Sequence, residues 1–272
     1  MSKLRHRCLY TALLLSLAAS PAAAQEESQQ QQPDGYRMTL TMGIGPGYGV
    51  MRDQGVSPLL YQTPGVDTRW AVGIAKGPWR YEAALTLSGG ILCKQTLPLR
   101  DIGISGYRVT AAIHMGVERC LAGHGRWRLW AGGAAEDWLA VAYNSRYMNA
   151  CVGMGNLATV TLWGKGEYHT GPWSLWMTAG GAPIGAWYRP GFAYVDNYTN
   201  GETEIAAFGD HYEWSTTPLP HLTGGLGATL HLQNGNTLGI NYTWHFFTTR
   251  HNGAWAYEAA RHSLLLQFTM AL

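Results

Sequence analysis

The chain has 272 residues and is rich in glycine (35), tyrosine (15) and tryptophan (12), while only 13% of its residues are charged. Three of its 19 lysines and arginines lie in the first 24 residues, so 16 basic residues face 17 acidic ones in the remainder; this balance excludes nucleic-acid or anionic-lipid binding driven by net charge. Three cysteines follow residue 24, and this odd number without a C-x-x-C spacing argues against a zinc site or a disulfide framework.

The N-terminal residues have the pattern of an export signal. Three basic residues precede a mostly apolar stretch over 9–19, and three alanines ending at Ala24 supply a small-residue cleavage site. This pattern predicts a secretory signal peptide over 1–24. The next segment, 25–35, is rich in Gln, Glu, Ser and Pro and is predicted to be a disordered leader, with one folded domain over 36–272. Beyond the signal, no stretch approaches the ~20 apolar residues of a membrane-spanning helix.

A short motif that contains glycine and tryptophan recurs three times along the folded domain. Its tryptophans, at positions 79, 127 and 173, are 48 and then 46 residues apart. Each follows a turn-forming glycine and opens a run in which apolar residues alternate with small or polar ones. The three copies are Gly77-Pro78-Trp79-Arg80, Gly125-Arg126-Trp127-Arg128 and Gly171-Pro172-Trp173-Ser174. A turn, an interfacial aromatic residue and a period-two strand are typical of a membrane β-barrel.

Period-two alternation predicts ten strands, each close to the ~9–11 residues that a tilted membrane strand needs. In chain order they are 36–44, 68–75, 80–91, 107–117, 127–143, 157–167, 173–182, 222–232, 237–247 and 261–272. The fifth alternates less cleanly, and Glu136-Asp137 predicts a β-bulge there. Asn234-Gly235 is the strongest hairpin signal in the chain.

The predicted connections alternate in length. Four are tight, around Gly77, Gly123, Gly171 and Gly235. Five are long: 45–67, 92–106, 144–156, 183–221 and 248–260. The sequence therefore predicts an all-β fold, a single antiparallel transmembrane up-and-down β-barrel of about ten strands with short periplasmic turns and long extracellular loops. Twelve strands would result if 183–221 folded into a further hairpin, and a soluble β-sandwich is the competing architecture.

The inward faces of the predicted strands carry charges of both signs. The candidates for a network inside the barrel are Arg37, Arg69, Glu82, Arg108, Glu118, Lys165, His231, Asn241, His245 and Gln267. Because unpaired charges in a narrow lumen are costly, we expect ion pairs and hydrogen bonds that plug it. A narrow pore lined for small solutes is the alternative.

Catalytic patterns are incomplete. The omptin proteases, also ten-stranded, use two acidic pairs and a histidine, whereas here Asp210-His211 has no second acidic pair to complete such a site. A lipid-modifying enzyme would need a serine beside a histidine, and no spacing links Ser57 or Ser263 to His114 or His245. The histidines show no H-x-H or H-x-x-x-H pattern. We therefore expect no enzyme activity, metal or cofactor.

The long loops hold the most distinctive motifs. They are the run Arg52-Asp53-Gln54-Gly55-Val56-Ser57-Pro58-Leu59-Leu60-Tyr61, the run from Ala131-Gly132-Gly133 to Tyr143-Asn144-Ser145-Arg146, and the run from Pro183 through Arg189-Pro190-Gly191-Phe192 to Asp210-His211. In these motifs the chain resembles a family of outer-membrane barrel proteins from the Bacteroidales that has no assigned function. Val56 stands where that family usually has Leu. The resemblance implies the barrel and its location in the outer membrane, and it implies no activity.

Structural roles are expected for the loop candidates, which are Asp53, Ser57, Pro58, Tyr61, Asn144, Arg146, Asp210 and His211. Ser57-Pro58 favours an extended or turn backbone, and Asp53 could pair with Arg146 across the extracellular rim. Cys93 and Cys151 fall on that rim and Cys120 on the periplasmic side, so Cys93–Cys151 is the one disulfide that the predicted topology allows.

The predicted function is that of an outer-membrane barrel with a structural or partner-docking role through its extracellular loops. The alternatives are a narrow passive pore and an outer-membrane lipid-modifying enzyme. The apolar alternation of the last strand, which runs to Leu272, is typical of strands used by the barrel assembly machinery for insertion. The expected partners are thus outer-membrane lipid, that machinery and a surface partner, with no nucleic acid.

Overall fold

The computed structural model describes residues 35–53, 57–94, 103–145, 152–188, 212–215, 221–248 and 257–272. These residues form antiparallel β-strands joined by tight turns. The strands are β1 (Arg37–Asp53), β2 (Ser57–Lys76), β3 (Trp79–Lys94), β4 (Ile104–His124), β5 (Trp127–Asn144), β6 (Val152–Thr170), β7 (Trp173–Tyr188), β8 (Tyr212–Ser215), β9 (His221–His231), β10 (Thr237–Thr248) and β11 (Tyr257–Ala271). The described residues contain no helix long and apolar enough to cross a membrane.

Ten of these strands close into a ring. Each pairs with its neighbours in sequence, β7 pairs with β9, and β1 pairs with β11 as well as with β2. At the closing seam Thr39 lies opposite Ala271. β8 pairs with the last residues of β7, from Gly185 to Tyr188, on the edge that β9 occupies further down, so it continues the wall next to β9 and adds no strand to the ring. The predicted ten-stranded antiparallel barrel is thus confirmed, whereas the twelve-stranded and sandwich alternatives are wrong.

Four glycines with positive φ make the tight turns: Gly77 (55°), Gly125 (57°), Gly171 (54°) and Gly235 (84°). Glycine adopts this backbone without the clash that a Cβ would cause. One prediction is corrected, since β4 continues to His124 and the second turn therefore uses Gly125 rather than Gly123. We call this end of the barrel the turn end and the opposite end the loop end.

Several strands are longer than predicted. β4 has 21 residues because it extends at both ends, mainly toward its tight turn, and β2 has 20 because the β-ladders continue into segments predicted to be loops. In the first of these, 45–67, Pro46 pairs opposite Val66 and the ladder reaches Asp53. Gly45, Pro46 and Gly47 fall in this predicted loop, but in the structure a Cβ on Gly47 would collide with buried side chains of the lumen. Glycine is thus needed here for clearance inside a strand.

The predicted bulge in β5 is wrong. The β4–β5 register runs without a shift past Glu136, opposite His114, and Asp137, opposite Ile113; the shift lies at Cys120/Ala122 in β4. Alternation is preserved, because Glu136 faces the lumen while the exposed Asp137 faces outward and accepts a 2.6 Å hydrogen bond from Asn156 Nδ2.

The two faces of the ring differ in polarity. Large apolar side chains are exposed on the outer face of every ring strand, including Ile44, Trp70, Leu85, Met115, Leu129, Leu162, Met177, Leu226, Ile240 and Leu266. Polar side chains are buried on the inner face, among them Thr63, Asp67, Ser88, Thr110, Thr161 and Ser263. This arrangement inverts that of a soluble protein and is the one that a bilayer requires of a barrel.

Candidate functional site

A network of alternating charges fills the lumen near the turn end. Arg80 Nη1 lies 3.3 Å from Glu118 Oε1 and 2.9 Å from Glu167 Oε1. Lys165 Nζ lies 3.5 Å and 2.8 Å from the same two carboxylates. Trp130 Nε1 donates a 2.9 Å hydrogen bond to Glu167 Oε2, and the Arg80 guanidinium stacks 3.7 Å from the Trp130 ring centroid. Two cations and two anions thus balance each other, and together with Trp130 they come from four neighbouring strands, β3 to β6.

A second network lies further toward the loop end. Arg69 pairs with Glu82, and His114 Nε2 lies 3.9 Å from Glu82 Oε1. On its other side, His114 Nδ1 lies 2.8 Å from Glu136 Oε1. Thr161 donates a 2.8 Å hydrogen bond to Glu136 Oε2. His114 therefore bridges two carboxylates in the middle of the barrel wall.

Asp67 forms a third polar contact in the lumen. Its side chain is completely buried and is bound by Arg261 and by the hydroxyl of Ser263. A Cβ on Gly47 would collide with both Asp67 and Arg261. The glycine in β1 therefore provides the space in which β2 and β11 make their ion pair.

Some side chains reach across the lumen to a distant strand. Trp138 of β5 contacts His245 of β10, with ring centroids 4.9 Å apart, and lies 6.2 Å from the ring of His221 on β9. Arg108 of β4 donates a 2.8 Å hydrogen bond to Tyr257 Oη of β11. In both cases the two strands are four steps apart in a ring of ten. The lumen is therefore bridged at two levels.

An apolar cluster occupies the loop end of the lumen, and we call it the loop-end plug. Its buried members are Met51, Tyr61, Leu92, Tyr257 and Ala259, with Ala142, Trp187 and Phe247 packed against them. The ring centroids of Trp187 and Phe247 lie 4.9 Å and 5.3 Å from that of Tyr257. Because the members come from seven of the ten ring strands, they fill the cross-section rather than line one wall.

Three side chains meet at the turn end, and we call them the Ser174 cluster. Ser174 Oγ lies 2.8 Å from His169 Nδ1 and 2.7 Å from His231 Nε2. His169 Nε2 in turn lies 3.8 Å from Glu167 Oε2. The prediction missed this serine–histidine arrangement. The sequence does predict the hairpin turn at Gly171, however, and its two-residue loop places His169 directly opposite Ser174.

The predicted lumen residues lie on the inner face, but they do not form one network. Those that are bound as described above are Arg69, Glu82, Arg108, Glu118 and Lys165. Asn241 binds Gln267, and among the described residues the buried Nδ1 of His245 has no hydrogen-bond partner. Arg37 is exposed at the turn end, where it donates a 3.1 Å hydrogen bond to the Gly235 carbonyl, and His231 belongs to the Ser174 cluster. Arg37 and His231 are thus rim residues.

Part of the predicted loop set is described. Tyr61 belongs to the loop-end plug, and Asn144 is buried at the end of β5. The backbone of Asp53 pairs with that of Ser57, and Pro58 continues β2. The remaining candidates lie outside the described residues: Arg146, Asp210, His211 and Cys151. The Asp53–Arg146 pair therefore stays a prediction. Cys93, the predicted partner of Cys151, is buried and forms no disulfide with a described residue, so the Cys93–Cys151 pair stays a prediction.

The cysteines, histidines and acidic residues do not converge on a metal site in the part of the chain that the structure describes. No group of three or more of these side chains could hold a metal ion there.

No protein-family model and no curated protein sequence matches the chain. Among solved structures it is similar to the outer membrane protease OmpT from Escherichia coli, with a TM-score of 0.58 at 9% identity over 90% of this chain and 99% of that chain. The translocator domain of the autotransporter NalP from Neisseria meningitidis gives a TM-score of 0.43 at 10% identity over 98% and 96%. Neisserial surface protein A gives 0.40 at 7% identity over 87% and 98%. The chain thus has the barrel fold that is found in OmpT.

Proposed function

We propose that the protein is an outer-membrane barrel with a closed lumen that docks a surface partner through its loop end. The predicted signal peptide and the exposed apolar outer face support the location in the outer membrane. Tight turns face the periplasm in barrels of this class and long loops face the exterior. The turn end is therefore assigned to the periplasm and the loop end to the outside.

The closed lumen is supported by contacts between side chains on nearly opposite strands. The Trp138–His245 and Arg108–Tyr257 contacts cross it, and the loop-end plug lies at its outer end. A solute would have to displace these side chains and leave buried polar groups without partners. Each such group costs ~1–3 kcal/mol. A passive pore is therefore disfavoured.

The docking role is supported by the length of the strands. Crossing the apolar core takes ~9–11 residues, whereas β1 has 17 residues and β2 has 20, and the two pair as far as Asp53 and Ser57 at the loop end. The additional residues extend the hydrogen-bonded wall of the barrel beyond the apolar core on the outer side, and the loop-end plug packs inside this extension. A rigid wall holds the loops that it carries in fixed positions, which lowers the entropy lost on binding a partner.

Site-specific photo-crosslinking in intact cells tests this assignment. A photoreactive residue in place of Leu60 or Ile104, which are exposed near the loop end, should yield a discrete crosslinked species with a surface partner. The matched controls at the turn end are Tyr36 and Arg126, and they should not yield that species. The absence of crosslinks from the loop-end positions, or the same species from both ends, would overturn the docking role.

Planar bilayer recordings test the closed lumen separately. The purified protein should give no stable single-channel steps, whereas regular steps would support the pore. Since crosslinking and conductance are independent measurements, each part of the proposal can fail alone.

A further inference from the structure

We propose that Ser174 is an activated nucleophile that hydrolyses short acyl esters entering the barrel from its turn end. The proposal concerns the opposite end from the docking surface and does not depend on it. It is supported by the contacts of Ser174 with two histidines and by the carboxylate behind one of them.

The fold places these side chains on three neighbouring strands. The turn at Gly171 sets His169 of β6 opposite Ser174 of β7. On the other side, Ser174 lies opposite Thr229 of β9, and His231 follows two residues later on the same inward face. Both histidines approach a single hydroxyl oxygen, at 2.8 Å and 2.7 Å. A serine held within hydrogen-bond reach of a histidine base is the arrangement that nucleophilic catalysis requires.

The position of Glu167 assigns the protons. Its Oε2 lies 3.8 Å from His169 Nε2, which is buried and forms no hydrogen bond with the described residues, so the negative charge favours the tautomer with the proton on Nε2 by proximity alone. His169 Nδ1 then carries the free lone pair and accepts the hydrogen bond from Ser174 Oγ. The serine oxygen in turn accepts a hydrogen bond from Nε2–H of His231. His169 is therefore the base, and His231 is the donor that orients the nucleophile.

Glu167 is itself fixed, because Arg80, Lys165 and Trp130 all bind its carboxylate. These three contacts hold the carboxylate in a fixed position beside His169. These side chains also fill the lumen above the cluster, so that a substrate must approach the serine from the turn end. A short acyl group meets this limit, whereas a long acyl chain does not.

The burial of the cluster fits a nucleophile reached from the periplasm. Ser174 is buried, His169 is partly buried and His231 is exposed at the turn end. An ester that approaches past His231 would reach the serine oxygen while most bulk water stays outside. Partial exclusion of water strengthens the hydrogen bonds that orient the reacting groups.

The proposed reaction has two steps, acylation of Ser174 and hydrolysis of the acyl-serine. Ser174 Oγ attacks the ester carbonyl carbon, and its proton passes to His169 Nδ1. The carbon–oxygen bond to the alcohol breaks, and His169 returns that proton to the leaving oxygen, which leaves an acyl-serine. Water then attacks the acyl carbon, giving its proton to His169. The acyl–Ser174 bond breaks, the carboxylic acid is released, and His169 restores the proton to Ser174.

Labelling with a small fluorophosphonate tests the nucleophile directly. Intact-mass and peptide analysis of the folded, detergent-solubilised protein should find one adduct, on Ser174, and Ser174→Ala should abolish it. The matched control is Ser88→Ala, because Ser88 is also buried on the inner face and has no part in the cluster. That variant should label like the unchanged protein. Heat-modifiable migration on gels confirms that each variant is folded.

Hydrolysis of p-nitrophenyl acetate separates the roles of the histidines. His169→Gln should slow both hydrolysis and labelling about 100-fold or more, as expected for loss of a general base, and should remove the base's inflection from the pH–rate profile. His231→Gln should reduce the rate and retain that inflection. If the folded protein is not labelled, if the adduct lies on another residue, or if Ser174→Ala retains hydrolysis, the proposal is wrong.

Discussion

Trp138 of β5 and His245 of β10 meet edge to face across the lumen, with ring centroids 4.9 Å apart and planes inclined by 62°. Since the two strands are on nearly opposite walls, this contact divides the lumen into an upper and a lower part. The Arg108–Tyr257 hydrogen bond makes a second division. The following predictions test these contacts and the packing around them.

Removing both crossing contacts should open the barrel. In a barrel whose turn-end network is also truncated by Arg80→Ala and Lys165→Ala, we expect Trp138→Ala combined with Tyr257→Ala to produce stepwise currents in planar bilayers, because a ring is then deleted from each level and the cations near the turn end are removed. The control, in the same truncated barrel, is Leu139→Ala combined with Tyr257→Phe. Leu139 is the outward-facing neighbour of Trp138, and Phe retains the ring of Tyr257. A silent quadruple-alanine variant would show that other side chains close the lumen.

The buried Asp67–Arg261 pair should be sensitive to loss of one charge. Asp67→Asn leaves the Arg261 guanidinium buried without a counter-ion, which costs about 3–5 kcal/mol in comparable pairs. Guanidinium unfolding of the barrel in detergent, followed by tryptophan fluorescence, measures the change. The double variant Asp67→Asn with Arg261→Met should recover much of this loss. An unchanged midpoint in the single variant would contradict the pairing.

Gly47 should not tolerate a methyl group. A Cβ there would collide with the Asp67 carboxylate and the Arg261 guanidinium. We therefore expect Gly47→Ala to destabilise the barrel by about 1–3 kcal/mol, the usual cost of overpacking. Gly89→Ala is the control, because nothing lies within 4 Å of its added Cβ. Equal unfolding midpoints for the two variants would rule out the clearance role of Gly47.

Gly171 should be required for its backbone conformation. Its φ is 54°, and no atom lies within 4 Å of an added Cβ, so any penalty comes from the backbone alone. Gly171→Ala should cost about 1–2 kcal/mol. Gly164→Ala, in the same strand pair with equally open space, should change the unfolding midpoint little. A loss in Gly164→Ala as large as that in Gly171→Ala would argue against a backbone origin.

The fold was predictable from the sequence to the extent that it depends on local patterns. Period-two alternation gave the ten ring strands, and Asn234-Gly235 gave one of the hairpins. The length of β1 and β2 was not predictable in the same way. The region around Pro46 is part of a predicted loop, whereas the structure shows that Gly47 makes room for Arg261, a residue more than 200 positions later.

The contacts inside the lumen also fall into two groups, those that local sequence patterns predict and those that they do not. An inward-facing position does not specify which strand its side chain will meet, so Trp138–His245 could not be inferred from either strand alone. The Ser174 cluster is different. His169 and Ser174 flank a turn that the sequence identifies, and their contact follows from the register of a two-residue hairpin.

The bond of Asp67 to Arg261 and Ser263 also has a consequence for the order of folding. It joins β2 to β11 over the intervening β1, and so it spans the seam where the first and last strands meet. It cannot form until the C-terminal strand has docked, 194 residues after Asp67 in the chain. Contacts of such high sequence separation form late and slow folding. An interaction that is absent from the transition state mainly lowers the unfolding rate. This ion pair would therefore lengthen the lifetime of the completed barrel.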